Sequence, residues 1–389
     1  MKALSKVVVL ILVACSACLG NGNRAYAAAE DAVTYQSDIE HTGHAKLDGF
    51  NGQLKLLWTT NLSGPISYPL IANGMVFVTA AAGQSTNLYA LDSTTGQQVW
   101  TANIVGKNPW SNAAYDDGQV FVVNASGLVQ AFDAGSGTMN WSAQMPGQWS
   151  FSSPPTASDG VVFILGAGDS GTLWALNEKD GKIRWTDALS DGDASSPTLA
   201  DGLVVVTFAC DAFAVKQWNG EVIWTLYSGC FGGSGSTPAY FDGLIWYRDQ
   251  SLGANWEVNA KNGNVKRDFD ADLIPAFFKQ TKLSYVVTLT SGALQCAPVG
   301  GNAIWSFTGD GQLTTAPITL GSYVIEGSGT GMLYVLDQTT GAVVWSANVG
   351  APIPAPIEGD QNQPLTGLGA ANGVLIVPAG SQVSAYAPM

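Results

Sequence analysis

Few residues in this chain of 389 are of a type and spacing that could do chemistry. Asp268, Asp270 and Asp272 (DFDADL) set three carboxylates at alternate positions. A calcium loop begins this way, because alternate oxygens can converge on a hard cation. Leu273 stands where such a loop needs glycine and no glutamate closes it, so a solvated acidic rim shared with Asp191, Asp193 and Asp310 is the competing reading. His41 and His44, the only histidines, lie beside Asp38 and Glu40. Two imidazoles three apart could approach a metal, or could simply be packed in an extended N-terminal segment. Residues 232–235 read Gly-Gly-Ser-Gly, without the strand-to-helix setting of a nucleophile elbow. GSGTG at 327–331 is a turn between strands, with no helix to cradle phosphate. No carboxylate pair is singled out for acid/base work. No catalytic residue is assigned.

Binding chemistry has better candidates. Trp110 (GKNPWSN), Trp149 and Phe151 (GQWSFSS) and Phe231 (GCFGGSGS) all fall between the recurring segments described below. A concave rim of such rings could stack a sugar, a quinone or a peptide side chain; alternatively the rings plug a channel mouth or pack on neighbouring loops. Arg248 (WYRDQ), one of only 16 Lys and Arg, could meet a ligand carboxylate or pair with Asp249 or Asp268.

The first thirty residues read as an export signal. Lys2 and Lys6 precede the apolar run VVVLILVA, and no acidic residue occurs before Glu30. The run is too short to span a bilayer. Ala25-Tyr26-Ala27 offers cleavage after Ala27, the favoured site, giving a signal peptide of residues 1–27. Leu12-Val13-Ala14-Cys15 offers instead a lipoprotein signal of residues 1–14, with Cys15 carrying lipid. Export implies a compartment where disulfides persist, and Cys210 and Cys230 are the candidate pair; Cys296 reads as a small buried hydrophobe. Sixteen Lys and Arg against 30 Asp and Glu, a formal charge of −14, are too few cations for a nucleic-acid surface, and 46 glycines with 13 tryptophans describe a compact, turn-rich β protein.

A repeat must position these residues. ALDSTTGQQVW ends at Trp100, AFDAGSGTMNW at Trp141, ALNEKDGKIRW at Trp185 and VLDQTTGAVVW at Trp345, with weaker copies ending at Trp224, Arg267 and Trp305. Trp58 in LKLLWTTNL extends the register backward, giving a period of about 41 residues. Each unit reads as four short strands, and a period near 40 with four strands is a β-propeller blade. The last unit, GVLIVPAGSQVSAYAPM, lacks a fourth strand and tryptophan; residues 54–62 should supply them and close the ring. The expected fold is all-β, an eight-bladed propeller over residues 54–389, preceded by an extended segment at 28–53.

The repeat Ala-x-Asp-x-x-Thr-Gly-x-x-x-Trp resembles that of the PQQ-like (quinoprotein-type) propeller family, and residues 35–45 look like the segment preceding the first blade in exported members. Two branches of that family imply different functions. Resemblance to BamB, the periplasmic lipoprotein of the outer-membrane assembly machinery, implies a non-catalytic module binding another protein. Resemblance to the quinoprotein dehydrogenases implies pyrroloquinoline quinone and calcium, although the adjacent cysteines of that branch have no counterpart here. The reading adopted is an exported binding or scaffold propeller with no cofactor. Its contact surface is placed at the channel mouth carrying Trp110, Trp149, Phe151, Phe231 and Arg248. The alternatives are a quinone-dependent oxidoreductase and a carbohydrate-binding protein.

Overall fold

A computed structural model describes residues 31–83, 85–106, 110–168, 171–189, 195–208, 210–229, 235–249 and 254–389. The described elements are all strands, arranged as eight antiparallel four-stranded sheets. Blade 1 covers residues 70–104, and seven more follow in chain order up to blade 8 at residues 369–388. In each blade the first and second strands are joined by a tight turn. Asn73-Gly74, Asp117-Gly118, Asp159-Gly160, Asp201-Gly202 and Asp242-Gly243 all have positive φ at both residues. That is the hairpin geometry for which Asn-Gly and Asp-Gly are best suited.

The signature turn between third and fourth strands is built by its aspartate. Asp92 Oδ1 accepts the N–H groups of Thr94 at 3.0 Å and Thr95 at 2.8 Å, and Gly96 follows at φ +69°. Gly96 is required twice over. Its backbone is left-handed, and a methyl group there would lie 2.4 Å from the Trp58 ring of the preceding blade. The Trp58 indole N–H donates to the Ser93 carbonyl at 2.9 Å. The arrangement recurs: Trp100 lies on Gly137, Trp141 on Gly181, Trp185 on Gly220, Trp224 on Gly263 and Trp305 on Gly341. Each of these indoles donates to a backbone carbonyl of the next blade, at 2.6–3.1 Å. The repeat is therefore a blade-to-blade coupling, with the glycine on one sheet serving as socket for the tryptophan of its neighbour.

Ring closure follows the sequence expectation. Strand Leu54–Asn61 pairs antiparallel with Gln382–Pro388, setting Trp58 opposite Ala385, and becomes the outer strand of blade 8. The preceding residues do more than lead into it. Residues 34–41 turn back on themselves, with positive φ at Gln36, Ser37 and His41, where an extended segment was expected. They occupy the space enclosed by the inner strands. Ala32 bridges Ile71 of blade 1, and the Val33 carbonyl accepts from Tyr115 of blade 2. The carbonyls of Ile39, Glu40, Thr42 and Gly43 accept in turn from Leu199, Tyr240, Phe277 and Thr319 of blades 4 to 7. His44–Ala45 then adds to blade 7 as a parallel strand. No helix among the described residues is long and apolar enough to cross a membrane.

A pair of substitutions separates the two demands on the socket glycines. Gly118→Ala meets positive φ but open space and should cost about 1 kcal/mol. Gly96→Ala adds the clash with Trp58 and should cost about 2–3 kcal/mol. Urea denaturation measures both; equal losses would refute the socket.

Candidate functional site

The connections from each outer strand to the next inner strand gather on one face of the ring, with the loops between second and third strands. The hairpin and Asp-Gly turns lie on the other. The first is called the connection face and the second the turn face.

At the centre of the connection face, the long connection 349–368 between blades 7 and 8 crosses the mouth. Its Ile353 carbonyl accepts from Thr314, and its Leu365 carbonyl accepts from the Tyr68 N–H at 2.9 Å. The Asn112 amide of blade 2 fits the Leu365 peptide, donating at 3.2 Å and accepting at 2.9 Å. Glu358 reaches down to blade 5, where one carboxylate oxygen accepts the Thr237 N–H at 3.0 Å and the other pairs with the Arg248 guanidinium at 2.5 Å. Both side chains of this pair are buried. Arg248 also donates to the Asp272 carbonyl at 3.2 Å. Its partner is thus neither Asp249 nor Asp268 but a carboxylate 110 residues away, and its charge is spent inside the protein.

Packing also accounts for two of the off-register aromatics. Trp110 is buried among Ala114, Phe121 and Met145. Phe151 is buried against Trp174, ring centroids 5.5 Å apart, with Gly127 and Gly166 making room for it. Neither presents a ring to a ligand. Trp149 does: it is 76% exposed, while its backbone N–H is fixed to the Ala167 carbonyl at 2.9 Å. Phe231 lies outside the described residues, as do Cys230, Cys15, Asp191 and Asp193. Sequence reasoning missed a cavity of about 330 Å³ on the same face, lined by Pro65, Ile66, Pro354, Pro364 and Thr366 at the seam where blade 8 meets blade 1. Ile357, half exposed, stands on the same connection. Only the unusual proline content of that connection could have pointed to it.

The acidic run does not assemble. Asp268 belongs to strand Val265–Phe269, the Asp270 carbonyl accepts from Thr290, and Asp272 Oδ2 caps the Ser291 N–H at 2.6 Å. Among the described residues, no three Asp, Glu, His or Cys side chains are placed to hold a metal ion. Asp310 instead organises its own loop, accepting from Gln312, Ser328 and Thr330. The histidines serve the central segment. Buried His41 sets Nδ1 2.7 Å from the Tyr35 carbonyl and Nε2 3.2 Å from that of Pro197, while His44 Nδ1 meets the Thr319 hydroxyl at 2.8 Å. Burial lowers the pKa of both. Cys210 is disulfide-bonded, whereas Cys296 is free and buried, its thiol pushed up to about 12 by desolvation.

Pyrroloquinoline quinone with calcium can be tested against this mouth. The sequence has no adjacent cysteines, no three acidic, His or Cys side chains among the described residues are placed to hold the calcium, and the chain's own connection lies over the charged centre. These residues do not fit the group, and no step is derived through it.

Fold and repeat define the class: an eight-bladed propeller of the PQQ-like type. The family profile described as "Outer membrane protein assembly factor BamB" matches residues 44–103, 84–229 and 242–388, and the chain belongs to that family. It is 25% identical over 298 residues to the outer membrane protein assembly factor BamB of Yersinia pestis, covering 69% of this chain and 74% of the relative. It is also 23% identical over 352 residues to the dehydrogenase subunit of the quinone alcohol dehydrogenase of Gluconacetobacter polyoxogenes, but spans only 45% of that subunit. The crystal structure of BamB from Moraxella catarrhalis superposes with a TM-score of 0.66 at 18% identity, covering 86% of this chain and all of that one.

Two outcomes follow. Removing only Arg248 or only Glu358 strands a buried charge and should cost about 3–5 kcal/mol, while Arg248→Met with Glu358→Gln should cost less than the sum; a double-mutant cycle by urea denaturation reads the difference. In the central segment Asp38 accepts from the N–H groups of Glu40 and Thr42, and burial raises its pKa to about 6. Its folded pKa exceeds the unfolded one, so its contribution is present at low pH and lost as pH climbs through about 6. Asp38→Asn should make the melting temperature rise relative to the parent between about pH 4 and pH 7. A constant offset across that window would contradict the assignment.

Proposed function

We propose that this protein is a non-catalytic, exported propeller that docks another envelope protein through its connection face. The observation that carries the reading is the Arg248–Glu358 pair sealed under the chain's own 349–368 connection. A site for turnover needs polar groups held ready for substrate; here the Arg248 guanidinium and the Glu358 carboxylate are spent on one another. What the face offers outward is an exposed indole at Trp149, between blades 2 and 3, and a proline-lined apolar cavity at the seam of blades 8 and 1. An exposed aromatic and an apolar recess on one face are the composition of a protein-binding surface. Family membership supports the same reading, since the relatives named BamB are outer membrane protein assembly factors, and a component of that assembly is the partner to test first.

In this reading the signal is removed, at Ala27 or at Cys15 with lipidation, and the protein works in the periplasm. The disulfide of Cys210 is assigned to Cys230, as an oxidising compartment allows.

The quinoprotein reading rests on the similarity to dehydrogenase subunits, of which the chain covers less than half in the Gluconacetobacter case. One set of experiments separates the two. Affinity capture from envelope extracts, with partners identified by mass spectrometry, should recover an outer-membrane assembly component. Trp149→Ala should weaken that capture about thirtyfold or more if the indole is a hot spot, with the fold unchanged because Trp149 is exposed. Tight binding of pyrroloquinoline quinone with calcium, together with dye-linked alcohol oxidation, would overturn the proposal.

A further inference from the structure

The seam between blades 5 and 6 departs from all others. In seven blades the residue paired across the sheet with the outer-strand tryptophan is small: Ala90, Ala131, Ala175, Ala214, Cys296, Val335 and Ala385. In blade 5 both members change together, to Glu257 opposite Arg267. Their side chains form an ion pair, Nε to Oε2 2.8 Å, with Glu257 buried and Arg267 half exposed. The guanidinium takes the indole's place over the glycine of the next blade, here Gly300, where an added methyl would lie 1.4 Å from it. Blade 6 answers with a shorter turn: Cys296 to Trp305 spans one residue fewer than Ala90 to Trp100.

A guanidinium and a shortened turn do not fill a slot sized for an indole. A cleft of about 330 Å³ remains, open at the side of the ring. Trp246, next to Glu257 in the same cross-strand row, and Phe269 contribute an apolar floor; Thr288 and Gln295 stand on the facing wall. Trp246 is 1% exposed and its indole N–H has no hydrogen-bond partner. The outer-strand indoles at six other seams spend theirs on a backbone carbonyl. A buried N–H left unmade and a carboxylate taken from water are both costly, and an Ala–Trp pair would avoid the second.

We propose that this lateral cleft is a binding site for one neutral sugar residue. The volume lies at the lower end of ligand pockets and suits a single pyranose ring. Hydroxyls need donors and acceptors side by side, which Arg267, Glu257, Thr288 and Gln295 provide, while a C–H face needs an apolar floor, here the partly exposed Phe269 backed by the buried Trp246. Asp268 and Asp270 at the lip, with Glu257, outnumber the one guanidinium, so an acidic sugar is excluded.

The test uses the whole exported protein with methyl β-glucoside, N-acetylglucosamine and glucuronate, read by saturation-transfer NMR and tryptophan fluorescence. The neutral sugars should bind with a Kd of ~1–10 mM and glucuronate at least tenfold more weakly. Glu257→Ala with Arg267→Trp rebuilds the pair found at other seams and should abolish binding while leaving the melting temperature equal or higher. Should that variant fail to fold, Gln295→Ala at the rim should weaken binding by about tenfold, the loss of one well-made polar contact. No saturation transfer at ~50 mM neutral sugar, several times the weakest expected Kd, would overturn the proposal. So would undiminished binding by the folded double variant, or by Gln295→Ala.

Discussion

The whole ring depends on an indole resting on a glycine. A propeller blade has two faces to bury and no helix to cover them, so its stability lies in its contacts with neighbours. At six seams the contact is reduced to one recurring unit: a tryptophan from one sheet, a left-handed glycine on the next, and a hydrogen bond from indole N–H to a turn carbonyl. The unit joins large apolar burial to a directional bond, so it fixes both the distance and the rotation between successive sheets. Where the turn begins with aspartate, as at Asp92, Asp133 and Asp337, its carboxylate holds the turn that carries the glycine. Closure is the same unit used once more, with Trp58 supplied from the front of the chain.

That construction leaves a hole at the centre, and the protein fills it with its own chain from two directions. Residues 31–45 line up backbone carbonyls against the inner strands, and the 349–368 connection lies across the opposite mouth. Between them, Tyr35 and Tyr68 pack with ring centroids 5.4 Å apart. The centre thereby becomes a polar core, in which buried His41, Asp38, Arg248 and Glu358 are satisfied mostly by backbone groups and by one another. Recognition is left to the periphery.

The sequence made the scaffold legible because the coupling unit is local: Asp, Gly and Trp lie within nine residues, and period and register can be counted. It even showed that residues 54–62 must complete the last blade. What it hid was everything formed by distant partners. Trp110 and Phe151 looked free because they sit off the repeat, yet they fill space between blades whose shape depends on Ala114, Gly127 and Gly166. Arg248 looked available because Glu358 is far along the chain. The Arg267 anchor was visible as a degraded copy, but its meaning lay in Glu257 across the strand pair, a contact no linear motif displays. Of the candidate rings that lie among the described residues, Trp149 remained exposed.

The central segment has a directional consequence. Asp31 accepts from the Asn372 amide at the turn face of blade 8, and the chain leaves the ring past Phe50 and Tyr323 at the turn face of blade 7. It enters and exits by the same door. The side bearing Trp149 points the other way, so the segment that plugs the ring keeps its two ends clear of the connection face.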